Sequence, residues 1–520
     1  MQQFLGYKKA EPQPHLKTTF RSLALAILVI GSADAQNNIP IPQPRDVEVD
    51  KTSKVASAPV PIPADRPIDG PAISGNAITL ADAIFIGLRE NRTIKSAYIN
   101  RTAQRFDLKI KNDAFKPRYG VSGSLVRQNI GTRGSTTIDV SPSVSLKTQT
   151  GAKFEFAWVN SSTLASNLNN FSSVAELSFE QPLLRGAGQN VNLAPIKQAH
   201  LAEQANKQKL KATVAEVIGA IIFAHRDLLL SQKELALAKS SARRAEELLS
   251  INDALIKAGR MAAVEAVLAE ADLENQRLRI LQDEQRVAAA QLALLNLLAL
   301  DLDTPIVAKE SMTPKQVPLN IQKLMMVAFV MRPDYLSQLY TIEQSRLGLR
   351  VAENEKLWDL SLFARGRFGF QTQSSRPNEK VQDASIGFRF TIPFNDPAPQ
   401  QKYLQSSTNL ELADIRLKEI KQGIETQIRG SANEVEILWK QIGIAEKALK
   451  LAELVVDIEK SKLKAGRSST FQVRTLEDTL RESEIQLLRA QVGYFNALTR
   501  LDLQLGTTLD TWRIDLRDGG

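Results

Sequence analysis

The four residues Lys-Ala-Gly-Arg occur twice, as Lys257-Ala258-Gly259-Arg260 and as Lys464-Ala465-Gly466-Arg467, 207 positions apart. Each copy closes a helical-period segment of roughly 65–70 residues and opens another of about 40. A heptad seam runs up to each glycine in the same register. In the first copy it is Leu228, Ser231, Leu235, Ala238, Ala242, Ala245, Leu249, Asn252 and Ile256. In the second it is Val435, Leu438, Ile442, Ala445, Leu449, Ala452, Val456, Glu459 and Leu463. A duplicated, very long α-hairpin leaves few architectures open. Helices of about 100 Å cannot bury themselves in one globular core, so they must lie in a coiled coil or a tube wall. The 3.5-residue period predicts left-handed supercoiling.

Proline placement agrees. None occurs between Pro195 and Pro305, and none after Pro399, so both long segments can run unbroken. The first is expected from about Ala187 to Lys257 and the second from about Pro399 to Lys464. Each half also opens with a shorter helix, at about Thr79–Phe115 and about Ile321–Lys356. Glycine after each long helix is expected to take positive φ and end it.

Between the short and long helices the period drops to two. From Leu362 one face carries Leu362, Ala364, Gly366, Phe368 and Phe370, and the other, mostly polar or small, Phe363, Arg365, Arg367, Gly369 and Gln371. From Ala384 the apolar positions are Ala384, Ile386, Phe388, Phe390 and Ile392, interleaved with Ser385, Gly387 and Arg389. This pattern fits strands with one side in lipid and one in water, or equally a sandwich strand over a soluble core. The first half holds more such runs, around Tyr119–Leu125, Ile138–Leu146, Phe154–Trp158 and Ala175–Phe179, with Thr150-Gly151 as a hairpin signal. The first half is therefore expected to carry one hairpin more than the second. Neither half has enough strands to close a barrel, so the chain must oligomerise to remove its sheet edges.

An export signal at the N-terminus, together with the neighbouring long helices, favours lipid over a soluble core. Lys8, Lys9, Lys17 and Arg21 precede a short apolar run, Leu23–Ile30, and Ala33-Asp34-Ala35 offers a cleavage site. Residues 1–35 thus read as a secretory signal, too short to be a membrane span. Residues 36–76 are proline-rich and read as a flexible arm. The first repeat is assigned to 77–300, with strands about 117–182; a linker to 301–320; the second repeat to 321–510, with strands about 360–394; and a short tail to 511–520. With no other apolar run of spanning length, membrane insertion must be by strands.

Composition excludes other classes. The chain has no cysteine, and its histidines are His15, His200 and His225. No metal cluster, phosphate-binding loop or nucleophile–base pair is recognisable, so neither catalysis, a cofactor nor a metal is expected. The net charge of +9 is spread among acids along helices rather than gathered in a patch, which does not point to nucleic acid.

Several stretches resemble the TolC family of outer-membrane factors over about Ala77–Asp510. They are Ile78-Thr79-Leu80 with Ala83 and Leu88, Ala328 with Arg332-Pro333-Asp334, Glu180-Gln181-Pro182-Leu183-Leu184-Arg185-Gly186-Ala187-Gly188, and the two Ala-Gly turns. The resemblance implies a homotrimer with a β-barrel in outer-membrane lipid, continued by a periplasmic α-helical tunnel. It implies the exit duct of a drug efflux pump or type I secretion system, with an inner-membrane transporter and a periplasmic adaptor (membrane fusion protein) as partners. It places adaptor docking at Lys257–Arg260 and Lys464–Arg467. It also marks the pore-constriction positions as Gln472 and Thr475, where the family's best-known member has acids. Glu265 is the first-copy counterpart, and Glu477 and Asp478 are alternative sources of charge. Period-two placement puts Arg365, Arg367 and Arg389 on the candidate barrel lumen, biasing it towards anions. The competing expectation is a soluble periplasmic coiled-coil scaffold or adaptor.

Overall fold

The computed structural model describes residues 77–516, apart from 131–132, 166–167 and 374–375. The signal sequence and the whole of the proline-rich arm lie outside the described residues. The described chain is mixed helix and sheet, dominated by long helices.

Strand β1 (Ala77–Thr79) runs into helix α1 (Leu80–Glu90). A capping box starts α1. The Asp82 N–H donates to Thr79 Oγ1 at 3.2 Å, and the Thr79 N–H donates to Asp82 Oδ2 at 3.3 Å. The sequence pattern predicts one helix to about Phe115, but Asn91 breaks it. Asn91 takes an extended ψ, accepts from the N–H groups of Thr93 and Ile94, and donates to the Leu297 carbonyl at 2.7 Å. It thereby caps a second helix, α2 (Arg92–Asn112).

Strands β2 (Arg118–Ile130), β3 (Arg133–Lys147), β4 (Lys153–Ala165) and β5 (Leu168–Pro182) come next. Then come the long helix α3 (Ala194–Lys257), the first glycine turn and α4 (Val264–Leu298). Helix α3 starts about seven residues later than expected. Gly186 and Gly188 hold φ of +79° and +87° and keep any helix from starting before Gln189, and a separate helical turn, Gln189–Asn192, intervenes before Ala194.

The second half has the same order of elements. A short strand β6 (Val307–Lys309) precedes α5 (Ile321–Met331), α6 (Pro333–Glu355), β7 (Asp359–Gln373), β8 (Arg376–Thr391), α7 (Ala398–Lys464) and α8 (Thr470–Leu505). Here the opening helix breaks at Arg332, which is extended ahead of Pro333.

β1 and β6 form a parallel pair, so part of the expected linker is a strand. The other sheet is antiparallel, in the order β2-β3-β4-β5-β7-β8. Strands from the two halves meet where β5 pairs β7, from Phe171↔Thr372 to Pro182↔Ser361. The first half thus contributes two hairpins and the second one.

Two apolar clusters hold the helices. In the first, Ile84, Ile94, Val214, Ile218, Ile221, Leu294 and Leu298 join α1–α4. The chain's end closes this cluster, because Leu509, Trp512, Ile514 and Leu516 pack on it. In the second, Ala328, Ile424, Ile428, Tyr494 and Leu501 join α5, α7 and α8. Every position of both heptad seams is buried or half-buried. Among the described residues no helix is long and apolar enough to cross a membrane.

Candidate functional site: a polar sheet face and two helical tips

Register sorts the large sheet into two faces. On one, cross-strand partners are Tyr119, Val144, Phe156, Leu177 and Gly366, and next to them Phe154, Phe179, Ala364 and Ile386. The other face carries Ser122, Ser141, Asp139, Ser161, Glu176, Arg365, Arg367 and Asp383. One side is therefore mainly apolar near the helices, with Arg127, Asn160, Ser173 and Lys380 further out, and the other is hydroxylated and charged, over an antiparallel sheet.

The three arginines picked from sequence lie on the polar face, and the fold supplies each with an acid. Arg365 Nε is 3.0 Å from Glu176, Arg367 Nη1 is 3.6 Å from Asp383, and Arg389 Nη1 is 3.7 Å from Glu180. Arg389 also stacks on Phe363. Glu176 and Glu180 come from β5, a strand of the other half. The anion bias expected from the arginines alone loses its basis once the acids are counted. Period-two reading found the arginines but had no register with which to place the acids beside them.

The motif Arg185-Gly186-Ala187-Gly188 is the strand-to-helix junction, and the second half holds it. Arg185 pairs with Asp359 at 2.7 Å, and the Gly186 N–H donates to Asn354 Oδ1 at 2.7 Å. Asn192 Nδ2 donates to the carbonyls of Gly186 and Gly188.

At the far ends of α3 and α7 the two glycine turns have the same geometry. Gly259 has φ +64° and Gly466 +71°. The Gly259 N–H donates to the Ile256 carbonyl and the Arg260 N–H to Leu255, each at 2.9 Å. Gly466 and Arg467 do the same to Leu463 and Lys462. Both turns are therefore Schellman closures. Lys257–Arg260 and Lys464–Arg467 are all exposed, and nothing lies within 4 Å of a Cβ built on either glycine.

The helices that leave the two turns start differently. Ser469 caps α8 by accepting from the Gln472 N–H, whereas α4 has no side-chain cap. Gln472 and Thr475 are exposed and uncharged. Glu265 is half-buried, with Oε2 enclosed and unpaired, so it does not offer an open ring of charge.

Glu477 and Asp478, the alternative sources of charge, are instead engaged between the hairpins. Glu477 pairs with Arg244 of α3 at 2.7 Å and with Lys460 of α7 at 2.5 Å. Asp478 faces Arg279 of α4 at 3.7 Å, and Arg244 also reaches Glu484 at 3.2 Å. Arg474 lies 4.0 Å from Asp272. Burial, with Asp478 nearby, pushes the Asp272 carboxyl above its usual range, and burial lowers the Arg481 guanidinium. Beyond this ionic layer, towards the turns, sits a small apolar cluster of Leu248, Leu463 and Val473.

This geometry has counterparts among solved structures. The Campylobacter jejuni CmeC outer membrane channel matches with TM-score 0.64 at 17% identity, over 82% of this chain and 85% of that one. The outer membrane protein VceC of Vibrio cholerae matches at 0.64 and 14%, over 82% and 96%. The Neisseria gonorrhoeae MtrE outer membrane channel, in its open state, matches at 0.62 and 15%, over 82% and 88%. The fold is that of the outer-membrane efflux channels. The likeness to TolC-type outer-membrane factors read from the sequence therefore holds for the fold. No protein-family model and no curated protein matches the chain. Within the efflux-channel fold the large sheet adjoins the starts of α3 and α7, and the glycine turns lie at their opposite ends.

Proposed function

We propose that the protein is a passive outer-membrane exit duct that forms a homotrimer. Its sheet would form a lipid-embedded barrel, and its helices a periplasmic tunnel. One observation carries this reading. An antiparallel sheet with one mainly apolar and one polar face, open at both edges, is covalently continued by two helices of 64 and 67 residues. Such a sheet has no soluble core to cover its apolar face, while lipid outside and water inside satisfy both faces. A duct needs geometry and field rather than a reacting group.

The two halves are read as copies of one ancestral unit, 77–300 and 321–510. Their matched turns would give six exposed tips per trimer, the docking points for a periplasmic adaptor of an efflux pump or type I secretion machine. Residues 1–35 would direct export. At the tips, Gln472 and Thr475 offer a polar, uncharged lining.

Membrane fractionation followed by electrophoresis with and without heating tests the duct. An SDS-resistant trimer in the outer-membrane fraction is expected. A soluble monomer would instead identify a periplasmic coiled-coil scaffold.

A further inference from the structure

β2 and β8 each present a row of unpaired backbone N–H and C=O groups along one side. We infer that hairpin β2–β3 is a wall segment, so that three copies close one barrel of eighteen strands, with β2 of each copy pairing with β8 of the next. This rests on the trimeric duct of the proposed function, and adds to it the strand count and the identity of the seam. One hairpin from each half would give only twelve strands.

Four observations carry it. First, strand sense: six alternating strands leave β8 antiparallel to the β2 of a neighbour, so the ladder continues around the ring without a parallel pair. Second, the hairpin is in register with the rest of the sheet and is not a loop leaning on it. β3 pairs β4 from Ser135↔Ala165 to Lys147↔Lys153, and β2 pairs β3 along all of its 13 residues.

Third, exposure rises at both edges of the apolar face. Tyr119 and Val121 on β2 are 79% and 76% exposed, and Ile386 and Phe390 on β8 are 76% and 72%. On the inner strands Phe156, Leu177 and Phe368 are 42–50% exposed. A strand laid on each edge covers the flanks of these side chains. Fourth, the edges are long and little interrupted: β2 contains no proline, and β8, although it carries Glu379, Lys380, Asp383 and Arg389, has proline only at Pro377, near its distal end. Edges of this length suit pairing with a second copy of the chain.

The consequence is a wider mouth. At about 4.8 Å between strands and a tilt of about 40°, eighteen strands make a ring about 36 Å across, against about 24 Å for twelve. The added sector is lined by hydroxyls: Ser122, Ser124, Ser141 and Ser143 sit on the polar face, and Asp139 there accepts from Ser124 and Ser161.

The chain has no cysteine, so pairs can be placed cleanly. One cysteine at Gly120, Ser122 or Ser124 is combined with one at Asp383, Ser385 or Gly387, all on the polar face. Mild oxidation in membranes followed by denaturing electrophoresis should yield covalent trimers for at least one pairing. Cysteines at Ala157 or Val159 of β4 should not cross-link to β8. β4–β8 cross-links would place the hairpin outside the wall and overturn the inference. So would products no larger than dimers, or the absence of β2–β8 adducts in a preparation that keeps its SDS-resistant trimer. Loss of that trimer in the unsubstituted protein would sink the duct reading itself. A second measurement needs no substitution: end-on electron-microscope projections should show a ring near 36 Å, and one near 24 Å would refute eighteen strands.

Discussion

Asn252 and Glu459 occupy equivalent places in the two seams, yet they act differently. Asn252 is fully buried, donates to the Glu265 carbonyl at 3.4 Å and accepts from Thr470 Oγ1 at 3.2 Å, so it joins the starts of α4 and α8. Glu459 accepts from Ser468 at 2.5 Å and pairs with Lys462, bracing only its own turn. Hydrogen bonds from those two partners hold its carboxyl below the usual range. His225 poses a different constraint. It is wholly buried, with Nε2 donating to the Ile78 carbonyl at 3.1 Å, and burial lowers its imidazole from the ordinary 6.5. The unfolded chain takes up that proton as pH falls through about 6.5 while the folded chain resists it, so protonation favours unfolding. Thermal melts should therefore lose stability as pH drops from about 7 towards 5, and His225→Gln should flatten that slope. A slope unchanged in the variant would assign the effect elsewhere. At the turns, Gly466→Asp meets no neighbour, so only its positive φ resists, at about 1 kcal/mol. Trimer melting should hardly change, while adaptor co-purification and export should fall. Normal export would remove the turn from the docking surface.

Among the elements, helices were more legible than strands. The long helices end where proline spacing and the glycines put them, because local chemistry sets those ends. Asn91, which splits the opening helix, could have been suspected as a cap, but only the fold brings Leu297 to its side chain. The arginines of β7 and β8 show the same limit. Period two put them on one face, and pairing with β5 gave them Glu176 and Glu180. Replacing Arg365 and Arg367 together by alanine leaves Glu176 and Asp383 unopposed. Reversal potentials in planar bilayers should then move towards cation preference. An unmoved potential would mean that this face does not line the conducting path.

In the whole molecule, the two hairpins are held by different physics along their length. Near the sheet-proximal half each hairpin is backed by an apolar cluster of its own, around Ile218 and Leu228 in the first and around Tyr494 in the second. Towards the tips the contact between them is ionic, through Arg244, Glu477, Asp478 and Arg279. Ion pairs that keep some exposure weaken with salt, and apolar contacts do not. The ionic layer below the tips is thus the part of the contact that salt weakens, leaving the Leu248, Leu463 and Val473 cluster to hold the tips together. Arg244→Ala strands Glu484 and leaves Glu477 with Lys460 alone, and should destabilise this region locally by roughly 2 kcal/mol. Amide exchange should speed up around residues 244–275 and 460–480 while the apolar region stays protected. Uniform change along the helices would argue against a separate tip unit.

Sequence alone determined the periodic part of this protein: two long helices in matched register, each closed by a glycine turn, and strands with one apolar face. Those features are written in neighbours a few residues apart, where helix period, proline exclusion and positive φ act directly. Only the tertiary structure decided what meets across hundreds of residues. It paired β5 with β7 and so neutralised the arginines, turned Glu477 from a solvated charge into a clasp, and laid the C-terminal tail on the first core. It also made the first half's extra hairpin a continuous part of the sheet. Each of these depends on strand register or helix adjacency, which local periodicity leaves undetermined because many long-range pairings satisfy the same pattern.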